Sequence, residues 1–234
     1  MKRIFIAIMA VSLFSCGGEE TTENEHNETT NDQEQTEVQD ESLDMEIADF
    51  KYFEDYTKIQ TRQQLYEIFG EDNLDDDTAW FGEGTTMFMC TDLTNPDNGW
   101  LIRYVFDELQ IDSVSFIETR FHNFDSDYND LGTQKVEAEN GLYTGMPLAE
   151  LVEWQGNDFD FSGFGWDYEG GISYDPDSKL GQSKVMVSLT LNVTELLDDK
   201  FNSIYGDTKI NSSDELAKEA PIVVGYMSYF VKEY

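Results

Sequence analysis

Histidine and cysteine are scarce in this chain of 234 residues, which contains two of each. His26 and Cys16 lie near the N-terminus, so the rest of the sequence holds His122 and Cys90 alone. A zinc site needs several such ligands. A Ser-His-Asp or Cys-His site would need His122 as its base, and no Gly-x-Ser-x-Gly turn accompanies it. The scarcity argues against zinc and against these hydrolytic sites. Cys90 lies in the apolar run 86–91, which favours a small buried residue.

Basic residues are also few, with 14 Lys and Arg against 49 Asp and Glu and a formal net charge of −35. Such an excess of negative charge repels nucleic acid and anionic lipid and attracts cations and basic proteins. The alternative is that the charge keeps a membrane-associated protein soluble. Phosphate-binding and dinucleotide-binding motifs are missing. We therefore expect no nucleic-acid partner and no cofactor.

Long apolar runs are rare, and residues 4–14 form one directly after Lys2 and Arg3. Its eleven residues are too few for a membrane-spanning helix, which needs about twenty. Two cations, a short apolar stretch and a small residue before a cleavage site are typical of a secretory signal. We therefore expect residues 1–15 to be a signal peptide.

The sequence Leu13-Phe14-Ser15-Cys16 resembles the lipobox of bacterial lipoproteins. The resemblance implies cleavage before Cys16, acylation of Cys16 with chains such as palmitate, and lipid anchoring in the outer membrane. Phe14 departs from the small or branched residue that is usual there. The alternative is an ordinary secreted protein with a chance cysteine. With Cys16 acylated, Cys90 would have no partner for an internal disulfide.

Residues 16–46 are predicted to be a disordered tether behind the lipidated cysteine. Residues 17–46 contain twelve acidic residues, no Lys or Arg and few large apolar side chains. Low hydrophobicity with high net charge cannot offset the entropy of the chain, and charge repulsion extends it. The tether would hold the domain clear of the lipid.

Residues 47–234 are predicted to form an α+β domain in which short helices pack on antiparallel meander sheets. A capping pattern and a closing glycine predict helices over residues 61–70 and 145–156. Apolar patterns predict strands over residues 80–91, 100–106, 114–121, 159–166, 171–174, 185–193 and 222–231. The order of elements suggests tandem helix-plus-strands units at 60–122 and 143–193, with a weaker helical echo at 201–206.

A glycine-closed helix followed by aromatic strands, in tandem and behind a lipobox, resembles the α+β units of BamE-type outer-membrane-assembly lipoproteins and of the β-lactamase-inhibitor protein. It is also similar to lipoproteins of the Bacteroidetes group, for which the aromatic and glycine-rich segment 157–171 is typical. Units of this kind mostly bind proteins. No functional residue is carried over, and the resemblance leaves open which face of the outer membrane the chain occupies.

Residues 159–171 combine glycines with aromatics and are the most distinctive local feature of the domain. Phe164, Trp166 and Tyr168 are the candidate contacts for a ligand or partner if they are exposed, and ordinary core residues if they are buried. Asp125, Asp127 and Asn129 are weak calcium candidates because their spacing begins like an EF-hand loop. The pattern then fails, since Asp130 stands where glycine is required and Val136 where a bidentate Glu belongs.

The sequence therefore predicts a lipid-anchored envelope lipoprotein that acts as a non-enzymatic binding or adaptor module, with an envelope protein or a glycan as partner. One alternative is a carbohydrate-binding or carbohydrate-active surface lipoprotein that uses Trp166 and neighbouring acids. The other is a passive structural envelope protein.

Overall fold

The computed structural model describes residues 44–81, 84–107, 112–124, 129–166, 168–193 and 197–231. The chain divides into two compact units, Met1–Asp40 and Glu41–Tyr234, and every described residue belongs to the second. The predicted signal peptide 1–15, the lipidation site Cys16 and the calcium candidates Asp125 and Asp127 lie outside the described residues.

The described residues contain four α-helices, all of them short. They are α1 Arg62–Phe69, α2 Leu148–Gln155, α3 Lys179–Gln182 and α4 Glu215–Glu219. Single 3-10 turns or short 3-10 helices occur at Ile47–Asp49, Phe53–Lys58, Glu71–Asn73 and Asp199–Ile204. At the start of α1, the Gln64 backbone N–H donates to the Thr61 hydroxyl, and the Thr61 N–H donates to the Gln64 side chain. This reciprocal cap satisfies two N–H groups that have no partner inside the helix, as the sequence predicts.

The two predicted closing glycines end their helices in different ways. Gly156 follows α2 in the left-handed conformation, with φ 87° and ψ −6°. The sequence predicts a left-handed cap at Gly70, but Gly70 follows α1 with φ 75° and ψ 156°, so that prediction is wrong. The extended ψ turns the chain out of the helix toward the first strand.

In the described part of the chain, eleven strands form three antiparallel sheets. They are β1 Leu74–Phe81, β2 Thr86–Thr94, β3 Leu101–Phe106, β4 Val114–Arg120, β5 His122–Phe124, β6 Asp130–Thr133, β7 Asp160–Ser162, β8 Ile172–Ser173, β9 Met186–Leu191, β10 Lys209–Asn211 and β11 Ile222–Phe230. The largest sheet has the order β1-β2-β3-β4-β11-β9, and the smaller ones are β10-β7-β8 and β5-β6. The fold is α+β as predicted, with strands in the majority.

The main differences from the predicted elements lie in the first hairpin, in the glycine-rich segment and at residues 201–206. Residues 80–91 are not one strand, because they straddle the turn between β1 and β2. In the glycine-rich segment, strand pairing is limited to Asp160–Ser162, and residues 201–206 fall in a 3-10 helix and the residues after it. The strands of segment 60–122 lie in the large sheet apart from the start of β5. Those of segment 143–193 divide between that sheet and the three-stranded one.

The core lies on one face of the large sheet, which we call the inner face. Leu93, Ile102, Tyr104 and Ile117 project from it, all essentially inaccessible to solvent. Buried polar groups there are paired, as burial requires. The Tyr104 hydroxyl donates to the Tyr56 carbonyl at 3.0 Å, and the Asn95 amide donates to the Tyr56 hydroxyl at 2.7 Å. Met45, assigned to the tether by its sequence, is partly buried against this core.

Gly170 is the point at which the turn after β7 approaches the edge strand β9. Its N–H donates to the Ser162 carbonyl at 3.1 Å, and its carbonyl accepts from the Leu189 N–H at 2.9 Å. Its φ is 63°, and a Cβ atom there would lie 1.9 Å from the Leu189 carbonyl oxygen. A side chain at this position would therefore be strained in the backbone and would clash with a backbone atom.

We predict that Gly170→Ala lowers the free energy of unfolding by about 3 kcal/mol, combining backbone strain with overpacking. Gly156→Ala is the matched control, because its φ of 87° is similar but a Cβ atom there would have no neighbour within 4 Å. It should cost about 1 kcal/mol. Urea unfolding followed by circular dichroism measures both, and equal losses would contradict the close approach.

Candidate functional site

The register of the large sheet assigns each side chain to one of its two faces, since directly opposed residues share a face and neighbours alternate. Phe88 of β2 opposes Ala79 of β1. Further along the sheet, Val105 of β3 opposes both Cys90 of β2 and Phe116 of β4, and Phe116 opposes Phe230 of β11. These residues project away from the inner face. They define an outer face that is not part of the main core.

The outer face carries an apolar group of its own, which we call the outer cluster. Its members are Ala79, Phe81, Phe88, Cys90, Val105 and Phe116. Ala79, Cys90 and Val105 are buried, whereas the three phenylalanines are partly exposed. The Phe81 ring centroid lies 5.6 Å from that of Phe88 and 5.4 Å from that of Phe116. The aromatic rings therefore form a continuous strip across three strands, partly open to water.

The opposite side of the same hairpin is also apolar and more exposed. Trp80 opposes Met87, and Thr78 opposes Met89. The side chains of Trp80, Met87 and Met89 are 60%, 46% and 37% exposed. We call residues 78–81 and 86–89 the hairpin end. Large apolar side chains on both faces of a projecting hairpin are more typical of a contact surface than of a solvated strand pair.

Beside the outer cluster lies a row of charged side chains. The Arg103 guanidinium donates to both Asp92 carboxylate oxygens at 2.7 Å, and its Nη2 lies 3.6 Å from Asp77. These hydrogen bonds to Asp92 raise the pKa of Arg103. Arg120 pairs with Glu118 at 2.9 Å and lies 5.5 Å from the centroid of the Tyr226 ring. Both cations are thus engaged by carboxylates of the same face, which leaves the surface acidic.

Asp76 fixes the edge strand β1 to helix α1. The Tyr66 hydroxyl donates to Asp76 Oδ2 at 2.9 Å, the Thr91 hydroxyl donates to Oδ1 at 2.6 Å, and Arg62 forms an ion pair with the same carboxylate. Partial burial opposes ionisation of Asp76, but the hydrogen bonds from Thr91, Tyr66 and Arg62 outweigh it and lower the pKa. The ionised carboxylate is therefore the form that the fold stabilises.

The three aromatic candidates from the sequence separate into core and surface. Phe164 is 2% exposed and packs 6.0 Å from the Phe161 ring, so it belongs to the core and cannot contact a ligand. Tyr168 is 60% exposed and lies edge-on to Trp166, with ring centroids 5.5 Å apart. The Trp166 Nε1 is buried, with no hydrogen-bond partner among the described residues. Trp166 and Tyr168 thus remain together as a surface pair.

A polar cleft of about 470 Å³ lies between the end of α2, the three-stranded sheet and the residues before α3. Its acidic lining residues include Asp158, Asp160 and Asp175. Asp160 accepts from Asn211 at 2.7 Å and pairs with Lys209 at 2.7 Å, and Asp158 accepts from Ser212 at 3.2 Å. These carboxylates are used to join β7 to β10. Asp158 and Asp160 therefore have a structural role and are not free to bind a ligand in the cleft.

Metal-ligating side chains do not gather in the described part of the chain, where no group of three or more His, Cys, Asp or Glu could hold a metal ion. Asn129 is described, whereas the other two calcium candidates are not.

No helix in the described ranges is both long and apolar enough to cross a membrane. Burial raises the pKa of the Cys90 thiol to about 12, so this cysteine is an inert packing residue, as predicted.

The hairpin end is the surface that sequence reasoning missed. The acidic cluster of Asp72, Asp75, Asp76 and Asp77 favours a solvated loop from sequence, but Asp75, Asp76 and Asp77 lie in strand β1. The sequence Gly82-Glu83-Gly84 between two apolar runs would have indicated a hairpin turn.

Comparison with protein-family models, curated proteins and solved structures gives no match for this chain.

We predict that Asp76→Asn lowers the free energy of unfolding by about 1 kcal/mol at neutral pH. This loss comes from the charge-assisted hydrogen bonds of the carboxylate, and it is small because the carboxylate is partly exposed to solvent. Because the folded-state pKa is lowered, the contribution is present above the ordinary Asp pKa of about 3.9 and is lost as pH falls through the folded value. The difference between Asp76→Asn and the unchanged chain should therefore shrink in acid.

Asp75→Asn is the control, since Asp75 is exposed on the opposite face of the same strand. It should change stability little at either pH. Denaturant unfolding at pH 7 and pH 3 measures the comparison. Equal effects of the two substitutions at pH 7 would show that Asp76 does not anchor β1.

Proposed function

We propose that the chain is a lipid-anchored envelope lipoprotein that acts as a non-enzymatic binding or adaptor module, and that the hairpin end is its contact surface. The observation that carries the proposal is the exposure of Trp80, Met87 and Met89 beside the aromatic strip of the outer cluster. Exposed apolar groups of this size, bordered by polar side chains, mark interaction sites in soluble domains. Aromatic anchors of this kind dominate the energetics of protein contacts.

The charge of the surface supports a partner with a basic rim. Asp75, Asp77, Asp92 and Glu118 lie on the face that carries the outer cluster. The chain as a whole has a formal net charge of −35. Complementary potentials steer association and reject partners of like charge. A basic envelope protein therefore fits this surface better than an acidic protein, a nucleic acid or an anionic membrane.

The membrane part of the proposal rests on the sequence. Acylation of Cys16 would anchor the chain, and the acidic residues 17–46 would keep the domain away from the lipid. An outer-membrane location follows from the resemblance to bacterial lipoproteins. The tandem arrangement of units 60–122 and 143–193, and with it the likeness to BamE-type units, stays a prediction.

A second candidate function is carbohydrate binding, and the pair formed by Trp166 and Tyr168 favours it. An exposed aromatic ring can stack on the apolar face of a sugar. Glu169 holds this turn, because its carboxylate accepts from the Gly165 N–H at 2.9 Å. This site is on the turn that follows β7, whereas the hairpin end is at β1 and β2, so separate substitutions distinguish the two functions.

The test is purification of the tagged full chain from living cells after mild crosslinking, with mass spectrometry of what accompanies it. We predict one stoichiometric envelope partner, and about ten-fold less of it with the double variant Trp80→Ala and Met87→Ala, since loss of contact anchors costs at least 1.4 kcal/mol. Tyr168→Ala is the matched control, because Tyr168 and Trp80 are both 60% exposed. The mass of the N-terminal peptide tests acylation of Cys16.

Other outcomes favour the alternatives. Loss of the partner in Tyr168→Ala but not in the Trp80 and Met87 variant would refute the hairpin end as the contact surface. Binding to a glycan array that disappears in Tyr168→Ala would support the carbohydrate function. The absence of both a partner and glycan binding would leave a passive structural protein as the remaining hypothesis.

A further inference from the structure

The large sheet has two edge strands, and they differ in how they are covered. At the β9 edge, Ser188 bridges to Gly171, and the Leu189 N–H donates to the Gly170 carbonyl at 2.9 Å. At the other edge, β1 pairs with β2 on one side and with no described strand on the other. The outer edge of β1 is therefore the place where the described part of the sheet can accept another strand.

The edge of β1 is regular along its whole length. Eight consecutive residue pairs join Leu74–Phe81 to β2 without a shift in register. The strand contains no proline, lysine or bulge, and the charged residues that limit its pairing are Asp75, Asp76 and Asp77, which repel an acidic strand but not a basic one. It therefore presents an unbroken row of N–H and C=O groups, which is the template required for addition of a strand.

Two chemically different halves follow each other along this edge. Asp75 and Asp77 are exposed at its beginning and project from the outer face, where Arg103 lies 3.6 Å from Asp77. Ala79 and Phe81 follow on the same face, and the exposed Trp80 lies on the other. An added strand would therefore meet carboxylates at one end and apolar side chains at the other.

We propose that β1 accepts an extended, basic and apolar peptide segment of a partner protein as a seventh strand of the large sheet. Cationic side chains of that segment would oppose Asp75 and Asp77, and apolar side chains would oppose Ala79 and Phe81. This inference rests on the proposed binding function and names the chemistry of the partner.

Charge decides between this occupant and two others. The preceding residues 17–46 of the same chain contain no Lys or Arg, so they would place acids against Asp75 and Asp77. Pairing of β1 with a second copy would bring together chains that each carry a net charge of −35. Like charges directly opposed across a strand pair are destabilising. Both occupants are therefore less favourable than a basic segment.

The test uses the full chain in mild detergent and a fluorescent peptide of sequence Lys-Thr-Lys-Thr-Val-Thr-Val-Thr, together with the reversed sequence because the strand direction is open. We expect saturable binding of one of them by fluorescence anisotropy. Replacement of both lysines by glutamate should weaken binding at least ten-fold. The double variant Asp75→Asn and Asp77→Asn should weaken it about five-fold, as expected for exposed ion pairs. Asp97→Asn, an exposed aspartate in the turn before β3, should leave it unchanged.

Methylation of alternate backbone nitrogens distinguishes strand addition from loose electrostatic attachment. Every second N–H of an added strand points to its neighbour. One alternating set of methyl groups should therefore abolish binding and the other should be tolerated. Failure of both peptides to bind, tolerance of both methylated sets, or an equal effect of Asp97→Asn would overturn the inference.

The two proposals fail in different ways. If cells yield a partner that depends on Trp80 and Met87 but neither peptide binds, the binding function stands and the edge is not its mode of contact. If no partner is found and the peptides do not bind, both proposals fall.

Discussion

The ionised carboxylate of Asp76 is the interaction on which the exposed surface of this domain depends. It joins three segments, because it receives Arg62 and Tyr66 from α1 and Thr91 from β2. Further ties of β1 to the domain are the pairing with β2, the contact of Asp77 with Arg103 and the ring contact of Phe81 with Phe116. Through Asp76, the acidic half of β1 is held against the helix while the apolar half projects as the hairpin end. A group of three polar contacts thus positions an apolar surface.

The two faces of the large sheet have different roles. The inner face supplies the core, in which even the buried hydroxyl of Tyr104 is hydrogen-bonded. The outer face keeps a small apolar cluster beside paired charges. An exposed apolar hairpin at a sheet edge normally invites aggregation. The strongly acidic character of the chain opposes contact between copies while it leaves a basic partner free to approach.

Much of the fold is readable from local patterns, and the exceptions have a physical reason. The N-terminal cap of α1, the Gly156 cap of α2 and strands β3, β4 and β11 follow from residues close together in the sequence. Strand β1 does not, because its Asp75-Asp76-Asp77 run has a low intrinsic preference for strands. The side chains that bind Asp76, Thr91 and Arg62, are 15 and 14 residues from it in the sequence. Tertiary contacts therefore override the local preference.

Local sequence patterns also fail to predict which residues of the candidate site are exposed. An aromatic residue in a glycine-rich segment has no local sign of its burial, and Phe164 lies in the core while Tyr168, four residues later, lies at the surface. The hairpin end was missed because the apolar pattern of residues 80–91 predicts one strand, and because exposure of the hairpin end depends on β2 running beyond its pairing with β3, which covers Cys90–Thr94 alone. Composition did predict the acidity of the surface, since charge excess is a property of the whole chain rather than of any contact.

The most direct test of this account is photo-crosslinking in living cells, with a photoreactive phenylalanine analogue placed at position 80, 168 or 124 of the full chain. Phe124 is 56% exposed in strand β5, which belongs to neither candidate surface, and serves as a reference. The account predicts one defined adduct from position 80, formed with a basic envelope protein and nearly absent from positions 168 and 124. Adducts of equal yield from all three positions, or a defined adduct from position 168 alone, would contradict it.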